Sequence, residues 1–284
     1  MWNFLKTTAL LGAMSGLMLL IGLIAGGALT GGDWRGAVAG MFVMLIVSTI
    51  LNFGTWFFAD TIVIKSTRAQ PVPPGQLDWL RADLAEVSAK AGIPTPRLYI
   101  VPHEASPNAF ATGRSPKKGV VAVTRGLIEM LDRRMVKGVL AHEVGHIKNR
   151  DTLVSAIAAT LAGVITFLAY GLSMASRSRS SGINPLVAIA ILITAPLAAI
   201  VLRMMISRTR EYGADKRAAQ LTGDPEGLAL ALEQLRRGVP ARPMHNEAAR
   251  NVHHFVNGFS GTLSSLMSTH PPIDKRIAAL RAMK

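Results

Sequence analysis

The 284-residue sequence contains no cysteine. This absence excludes a disulfide-stabilised scaffold, a zinc site with cysteine ligands and a thiol nucleophile, although it does not fix the cellular compartment. Aromatic residues are also few, at 6%, so the sequence gives little support for stacking on nucleic-acid bases.

Acidic residues are scarce as well, with 17 Asp and Glu against 31 Lys and Arg, for a net charge of +14. Half of the residues are nevertheless hydrophobic, and the mean hydropathy is +0.33. This combination indicates that apolar and basic residues occupy different stretches of the chain. It excludes intrinsic disorder and argues against a single water-soluble globule. The basic charge leaves two candidate partners, nucleic acid and anionic lipid.

Charged residues are absent from four long stretches, and a helix that spans a bilayer needs about 20 apolar residues. All four are long enough: Thr7–Gly32, Gly36–Ala59, Thr152–Ser176 and Ser180–Leu202. The first two predict a helical hairpin with a short turn. A cleaved signal peptide is the alternative, but the run is long and no Ala-x-Ala site closes it. The last two are interpreted either as a second spanning hairpin, which we favour, or as a partly embedded insertion.

The basic residues flank these stretches and concentrate in two large polar segments. Lys65 and Arg68 follow the second stretch, and Arg203, Arg208 and Arg210 follow the fourth. By the positive-inside rule, both polar segments and the N-terminus are expected in the cytoplasm, with the chain passing several times through the lipid bilayer. No motif for nucleic-acid binding accompanies the charge, so no nucleic-acid partner is expected.

The polar segments predict a compact unit of helices and a few strands. Expected strands are Arg97–Val101, Gly119–Thr124 and a short edge strand at Ala109–Thr112. Helices are expected from Leu77 to Gly92, from an N-cap at Asp132 to Asn149, over Arg203–Leu221 and Pro225–Arg237, and from Ile273. Residues 71–75 are interpreted as a stiff linker and residues 239–268 as a mobile loop.

The helix after Asp132 carries the run His142-Glu143-Val-Gly-His146. Two histidines four residues apart lie about 40° apart around a helix, so both imidazoles can reach one metal ion. Glu143 flanks that ion and can take a proton from a water molecule bound to it. This His-Glu-x-x-His arrangement is typical of zinc peptidases.

A catalytic zinc ion needs three protein ligands and one open position. No third histidine follows closely, and Glu211 in a separate helix is the best candidate. Asp215 lies four residues further on the same face, where it can accept the outer N–H of a ligand histidine. The alternative is that Glu211 and Asp215 only pair with neighbouring arginines on a solvated face.

The remaining histidines are weaker candidates for the site. Four are expected on surface loops: His103, His245, His253 and His254. His270 precedes the rigid pair Pro271-Pro272, which can present it to the site. There it could serve as a metal ligand or, as the better candidate role, donate to the oxyanion of the transition state.

Four segments together resemble HtpX, a family of bacterial membrane zinc endopeptidases related to the CAAX prenyl proteases. They are His142-Glu-Val-Gly-His146, Ser207-Arg-Thr-Arg-Glu-Tyr-Gly-Ala-Asp215, Ser106-Pro-Asn-Ala-Phe-Ala-Thr-Gly113 and Thr269-His-Pro-Pro272. Their order and spacing match from about residue 60 to the end.

The resemblance implies one Zn²⁺ per chain, held by His142, His146 and Glu211, with Glu143 as general base. It implies an active site on the cytoplasmic side of the bacterial inner membrane. It also implies a role in stress response and quality control, the clearing of misfolded membrane proteins. A substrate edge strand is implied at Asn108, Ala109, Phe110 and Ala111, and His270 is implied to serve the transition state.

The expected fold class is therefore α+β and mostly α, with membrane hairpins and a zincin-like metallopeptidase domain. Residues 1–60 are expected to form the first hairpin, residues 61–151 and 203–284 the peptidase domain, and residues 152–202 the second hairpin between the ligand helices. The rival functions are a transporter or scaffold that binds metal incidentally, a prenyl-protein peptidase, and a membrane protein with a degenerate peptidase domain. The spans carry no charged residue, which argues against a transporter or scaffold. Four spans are too few for the enclosed chamber of a prenyl-protein peptidase. The intact ligand set argues against a degenerate peptidase domain.

Overall fold

The computed structural model describes residues 2–152, 154, 209–238 and 272–283. The predicted second hairpin (apart from residues 152 and 154), the loop at 239–268 and the histidine at 270 lie outside the described residues. The chain divides into two compact units, residues 1–58 with 154–202 and residues 59–153 with 203–284.

Two long apolar helices form the described part of the first unit, where the sequence predicts them. Helix α1 spans Trp2–Leu29, and α2 begins at Trp34 and ends at Thr67, eight residues beyond the predicted stretch. They pack closely because glycines face each other: a Cβ added at Gly22 would lie 2.3 Å from the carbonyl oxygen of Gly40. Small residues four apart are a common means of close helix packing in membranes.

One described helix, Trp34–Phe58, is long and apolar enough to cross a membrane, by length and composition. Within α1, the apolar stretch Ser15–Gly27 is shorter than this length. Large hydrophobic side chains of α2 are exposed, among them Phe42, Ile46 and Ile50. Four such helices were expected, and two of those stretches lie outside the described residues.

The second unit contains a four-stranded sheet with the order β1-β2-β4-β3. The strands are β1 Gln70–Pro71, β2 Arg97–Val101, β3 Ala109–Thr112 and β4 Val120–Thr124. β2 and β4 pair in parallel, whereas β1 and β3 join their neighbours antiparallel. Three strands were predicted, and β3 is at an edge among the described strands, as expected. β1 was missed because its two residues lie at the start of the proline-rich linker.

Helices make up most of the second unit, so the fold is mostly helical with a small sheet. They are α3 Asp78–Ala91, α4 Arg125–Met130, α5 Arg133–Asn149, α6 209–222, α7 Pro225–Gly238 and α8 Ile273–Arg281. All except α4 were predicted. Thr124 caps α4 by accepting a hydrogen bond from the backbone N–H of Leu127, directly after a strand.

Helix α5 is the centre of the second unit, in contact with α3, α7 and the sheet. Val136, Leu140 and Val144 lie in its buried face. At Gly138 the helix approaches α7 so closely that an added Cβ would lie 2.8 Å from the backbone nitrogen of Leu228. Asp132 caps the helix through the N–H of Met135, as predicted. Packing on several sides fixes the helix that carries both histidines of the motif.

Helix α8 docks on α7 at the end of the chain. Ile277 and Leu280 are buried in the core, and Arg281 pairs with Glu226 and Glu233 on the surface. This docking turns Arg276 into the interior, where it is 6% exposed.

Candidate metal centre

Three side chains from two helices converge on one point. His142 and His146 lie one turn apart on α5, and their Nε2 atoms are 3.0 Å apart. Glu211 on α6 places Oε2 3.5 Å from Nε2 of His142 and Oε1 3.4 Å from Nε2 of His146. The ligand set predicted from sequence is thus brought together.

The separations of these donor atoms fit a small tetrahedral cation. Metal–ligand bonds of about 2.0–2.1 Å place tetrahedral ligands about 3.3 Å apart. Two imidazole nitrogens and a carboxylate oxygen also match the donors of a catalytic site that keeps its fourth position open. The three residues could hold a metal ion.

Helix α6 reaches the site because its backbone lies close to α5. Gly145 faces Ala214, and a Cβ added there would lie 3.4 Å from the Cα of Ala214. Glu211 and Asp215, on either side of Ala214, are buried at 6% and 0% exposure. The alternative that these acids lie on a solvated face is therefore wrong.

Asp215 contacts His142, as the spacing predicts. Its Oδ1 lies 2.9 Å from Nδ1 of that ring. Among the described residues, this nitrogen has no partner with full hydrogen-bond geometry, so the pair is a close electrostatic contact. The contact faces the outer side of the imidazole, opposite Nε2.

Arg276 is a member of the site that the sequence did not indicate. Its Nε and Nη2 donate to the two carboxylate oxygens of Asp215 at 2.8 and 2.7 Å. Its Nη1 lies 3.2 Å from Oε2 of Glu211. The arginine that pairs with both acids comes from α8 and is buried, and no local spacing links it to them.

Asp151 is the second member that was missed. Its Oδ2 lies 3.0 Å from Nδ1 of His146, and the residue is 3% exposed. It follows the end of α5, where helical spacing no longer predicts which residue faces the histidine.

The carboxylates alter the protonation of both rings. Burial lowers the pKa of His142, but Asp215 and Glu211 outweigh it, and the net pKa is raised. Burial likewise opposes protonation of His146, yet Asp151 and Glu211 raise its pKa to about 10. The ring of His146 is therefore charged at neutral pH when no metal is bound.

The other residues that the sequence singled out as site candidates lie in different parts of the fold. Glu143 is buried in α5 between the two histidines, at 8% exposure, and His103 is exposed on a loop. Asn108 precedes the edge strand that contains Ala109, Phe110 and Ala111. The predicted residues outside the described part of the chain are His245, His253, His254 and His270.

Comparison with known proteins decides the family. Residues 74–284, which include all of these site residues, match peptidase family M48. The chain belongs to peptidase family M48. As an M48 protein it is a metallopeptidase, and the predicted enzyme class is confirmed.

Relatives within this family cover almost the full chain. A protease HtpX homolog of Syntrophobacter fumaroxidans is 42% identical and covers 98% of both chains. That of Desulforapulum autotrophicum is 43% identical, over 99% of this chain and 90% of its own. The resemblance to HtpX is thereby confirmed.

A solved structure shares the fold of this M48 chain. Ste24p of S. mikatae aligns with a TM-score of 0.56 at 19% identity. The alignment covers 98% of this chain but only 65% of that one. The likeness therefore concerns the fold alone.

Proposed function

We propose that the chain is a membrane-bound zinc endopeptidase that cleaves misfolded or damaged membrane proteins as part of the stress response. The observation that carries this proposal is the convergence of His142, His146 and Glu211 beside a buried acid, Glu143. Family membership adds that the reaction is peptide hydrolysis. Because the described residues contain one such ligand set, we expect each chain to bind one Zn²⁺.

Zinc is the metal that the donor set favours. Histidine nitrogen and carboxylate oxygen are its usual ligands in metallopeptidases, whereas Mg²⁺ and Ca²⁺ prefer oxygen alone. When bound, zinc polarises the scissile carbonyl and lowers the pKa of water at the site towards about 7. His142, His146 and Glu211 would hold the ion, and three protein ligands of this kind would leave a position for substrate.

Glu143 acts as the general base. It precedes Val144, whose side chain lies in the core, so its helical position is fixed within the ligand helix. Its carboxylate accepts the proton of the attacking water and passes it to the leaving amine. The peptide C–N bond breaks as the amine takes up that proton, and both products leave as a carboxylate and an amine.

The edge of the sheet offers a place for an extended substrate. The backbone N–H of Thr124 donates to the carbonyl of Asn108, and Phe110 lies opposite Ala122 in the same antiparallel pair. Alternation along the strand therefore points the backbone N–H and C=O of Ala109 and Ala111 away from β4. Because β3 also contacts α5, a peptide added there runs beside the ligand helix, and its main chain is recognised with little dependence on sequence.

His270 is proposed as a donor to the oxyanion of the transition state. Its support is its position two residues before Pro272, which immediately precedes α8. Helix α8 supplies Arg276 to the metal centre, and the proposal is that His270, which directly precedes this segment in sequence, acts at the same centre.

The membrane placement rests on the first unit and on charge. The span Trp34–Phe58 exposes apolar side chains, as lipid contact requires. We assign residues 1–60 to a membrane hairpin, 152–202 to a second one, and residues 61–151 with 203–284 to the peptidase domain. Basic residues beside the apolar stretches favour a cytoplasmic face of the bacterial inner membrane for that domain.

Metal analysis with casein cleavage tests the activity. The purified protein in detergent should contain zinc and cleave casein, and a chelator should abolish cleavage. Glu211→Ala should lower the zinc content, with Glu86→Ala, an exposed acid of α3, as the control. Unchanged zinc in Glu211→Ala would show that the third ligand is wrong.

The substrate class is tested separately. A misfolded membrane protein and a prenylated peptide are offered to the active enzyme at equal concentration. Quality control predicts cleavage of the first and little of the second. Preferential cleavage of the prenylated peptide would assign the chain to prenyl-protein processing instead.

A further inference from the structure

The outer nitrogen of each ligand histidine meets a different buried carboxylate. Asp215 serves His142, at 2.9 Å. Asp151 serves His146, at 3.0 Å from Nδ1. Asp215 has the recognisable i,i+4 spacing from Glu211, whereas Asp151 belongs to no such pattern.

A reversal of the backbone at the end of α5 brings Asp151 back to the site. Arg150 adopts the left-handed conformation with φ of 60°, and its N–H bonds to the carbonyls of His146 and Ile147. This C-cap stops the helix and turns the next residue inward. Asp151 can therefore approach a histidine five positions earlier, which a continued helix would place on a different face.

Two further hydrogen bonds fix the segment that follows the turn. Nη1 of Arg210 donates to the carbonyl of Asp151 at 3.2 Å. The hydroxyl of Thr152 donates to the carbonyl of Gly113 at 3.0 Å, next to the end of β3. Arg210 immediately precedes the ligand Glu211, so the first bond ties the segment that follows α5 to the helix that carries Glu211.

We propose that Asp151 is a positioning residue of the metal centre. Its carboxylate orients the ring of His146. Its backbone carbonyl accepts a hydrogen bond from Arg210 and so holds the neighbouring Glu211 in place against α5. This inference rests on the proposed zinc site. The carboxylate favours the tautomer with a proton on Nδ1, which leaves Nε2 free for the metal. The hydrogen bond from Arg210 to the carbonyl of Asp151 fixes the distance between His146 and Glu211, which are 65 positions apart in sequence.

Asp151 lies two residues after the end of α5, whereas Arg210 is 59 positions further along the chain. The hydrogen bond between them therefore joins two segments that are distant in sequence and adjacent beside the metal ligands.

The test measures zinc affinity of the full-length chain in detergent by competition with a chromogenic chelator. Asp151→Asn keeps the size of the side chain and removes its charge. Because loss of an outer partner of a ligand histidine typically weakens metal binding about 10–100-fold, we expect a loss in that range. Asp83→Asn is the matched control, since Asp83 is equally buried and ion-paired, to Arg133, away from the metal centre. It should bind zinc like the wild type.

The visible spectrum of the cobalt-loaded protein gives a readout that a loss of stability alone would not change. We expect the bands to shift in Asp151→Asn and in Arg210→Ala, but not in Asp83→Asn. Wild-type zinc affinity with an unchanged cobalt spectrum in Asp151→Asn would overturn the inference. So would equal loss of affinity in Asp83→Asn.

A measurement on the wild type covers the case in which Asp151→Asn fails to fold. In the zinc-loaded protein, the ring ¹⁵N spectrum should show a slowly exchanging Nδ1–H on His146. A rapidly exchanging Nδ1–H on that ring would contradict the inference. Absence of zinc binding by the wild type would instead overturn the proposed function, so the two failures are distinguishable.

Discussion

Arg276 donates two hydrogen bonds to Asp215, at 2.7 and 2.8 Å, with both side chains buried. The same guanidinium lies 3.2 Å from the ligand Glu211. The planar fork of arginine matches a carboxylate in this way, whereas lysine offers a single point charge. The last helix of the chain is therefore part of the metal centre, although it supplies no ligand.

Removing this arginine should destabilise the protein. Arg276→Ala leaves the buried charge of Asp215 without its arginine partner, and breaking a buried pair in this way costs about 3–5 kcal/mol. Arg276→Lys should recover only part of the free energy of unfolding. The measurement is denaturant unfolding of the zinc-free protein in detergent, with Lys275→Ala, an exposed neighbour, as the control. Equal stability of Arg276→Ala and wild type would contradict this reading of the pair.

Zinc binding should release protons, and affinity should rise with pH. The pKa of His146 is raised to about 10 in the metal-free protein, so its ring is charged at pH 7 and must lose that proton to bind metal. Between pH 7 and 8 the affinity should increase about tenfold for each proton displaced. Calorimetry in two buffers of different ionisation enthalpy measures the release directly. An affinity independent of pH in this range would refute the prediction.

The same raised pKa affects the stability of the metal-free fold. The pKa of His146 is higher in the folded protein than its ordinary value of 6.5, so protonation of this ring stabilises the fold. The stabilisation is fully present below about pH 6.5. This contribution should be lost as the pH rises through about 10. Asp151→Asn should flatten the pH dependence, because the contact with Asp151 is the first-ranked single cause that raises the pKa of His146.

The edge strand can be tested by removing one outward N–H. Ala111→Pro deletes a donor that points away from β4 and should leave the sheet intact. Loss of one hydrogen bond to the substrate is expected to lower kcat/KM by about tenfold, through KM, at unchanged zinc content. Phe110→Pro is the contrasting variant, because it removes a bond to β4 and should reduce stability. Unchanged KM in Ala111→Pro would argue against substrate pairing at this edge.

The glycine contact between α1 and α2 predicts the register of the hairpin. The side-chain amide of Asn52 donates to the hydroxyl of Ser15 at 3.1 Å, and the chain has no cysteine of its own. Ser15→Cys with Asn52→Cys should therefore join through a short thiol cross-linker in membranes. Adding Gly22→Leu should greatly reduce the yield, because even a Cβ would meet Gly40.

Gly16→Leu is the control for this cross-link. A Cβ at Gly16 would meet no atom of the described residues within 4 Å, so the yield should not change. Equal yields from the Gly16 and Gly22 variants would show that the helices do not meet at the glycines.

The sequence predicted those parts of the site that follow from spacing within one helix. His142 and His146 share a face of α5, and Glu211 and Asp215 share a face of α6, so helical periodicity was sufficient. The strands β2, β3 and β4 were likewise visible as short apolar runs. The family resemblance was carried by the same local segments.

Sequence could not predict members of the site that depend on tertiary packing. Asp151 reaches His146 only because Arg150 reverses the backbone. Arg276 reaches Asp215 only because α8 docks on α7. Likewise, the facing of Gly22 and Gly40 depends on the register between two helices. Each relationship joins elements that no local pattern relates.

The most direct test of the central claim is zinc content and casein cleavage measured on the same preparations of wild type and Glu143→Gln. Glu143 is the base in the proposed mechanism and is not one of the three converging ligands. We predict equal zinc content in the two proteins and cleavage by the wild type alone. Cleavage by Glu143→Gln at the wild-type rate, or a wild type without zinc, would contradict the account.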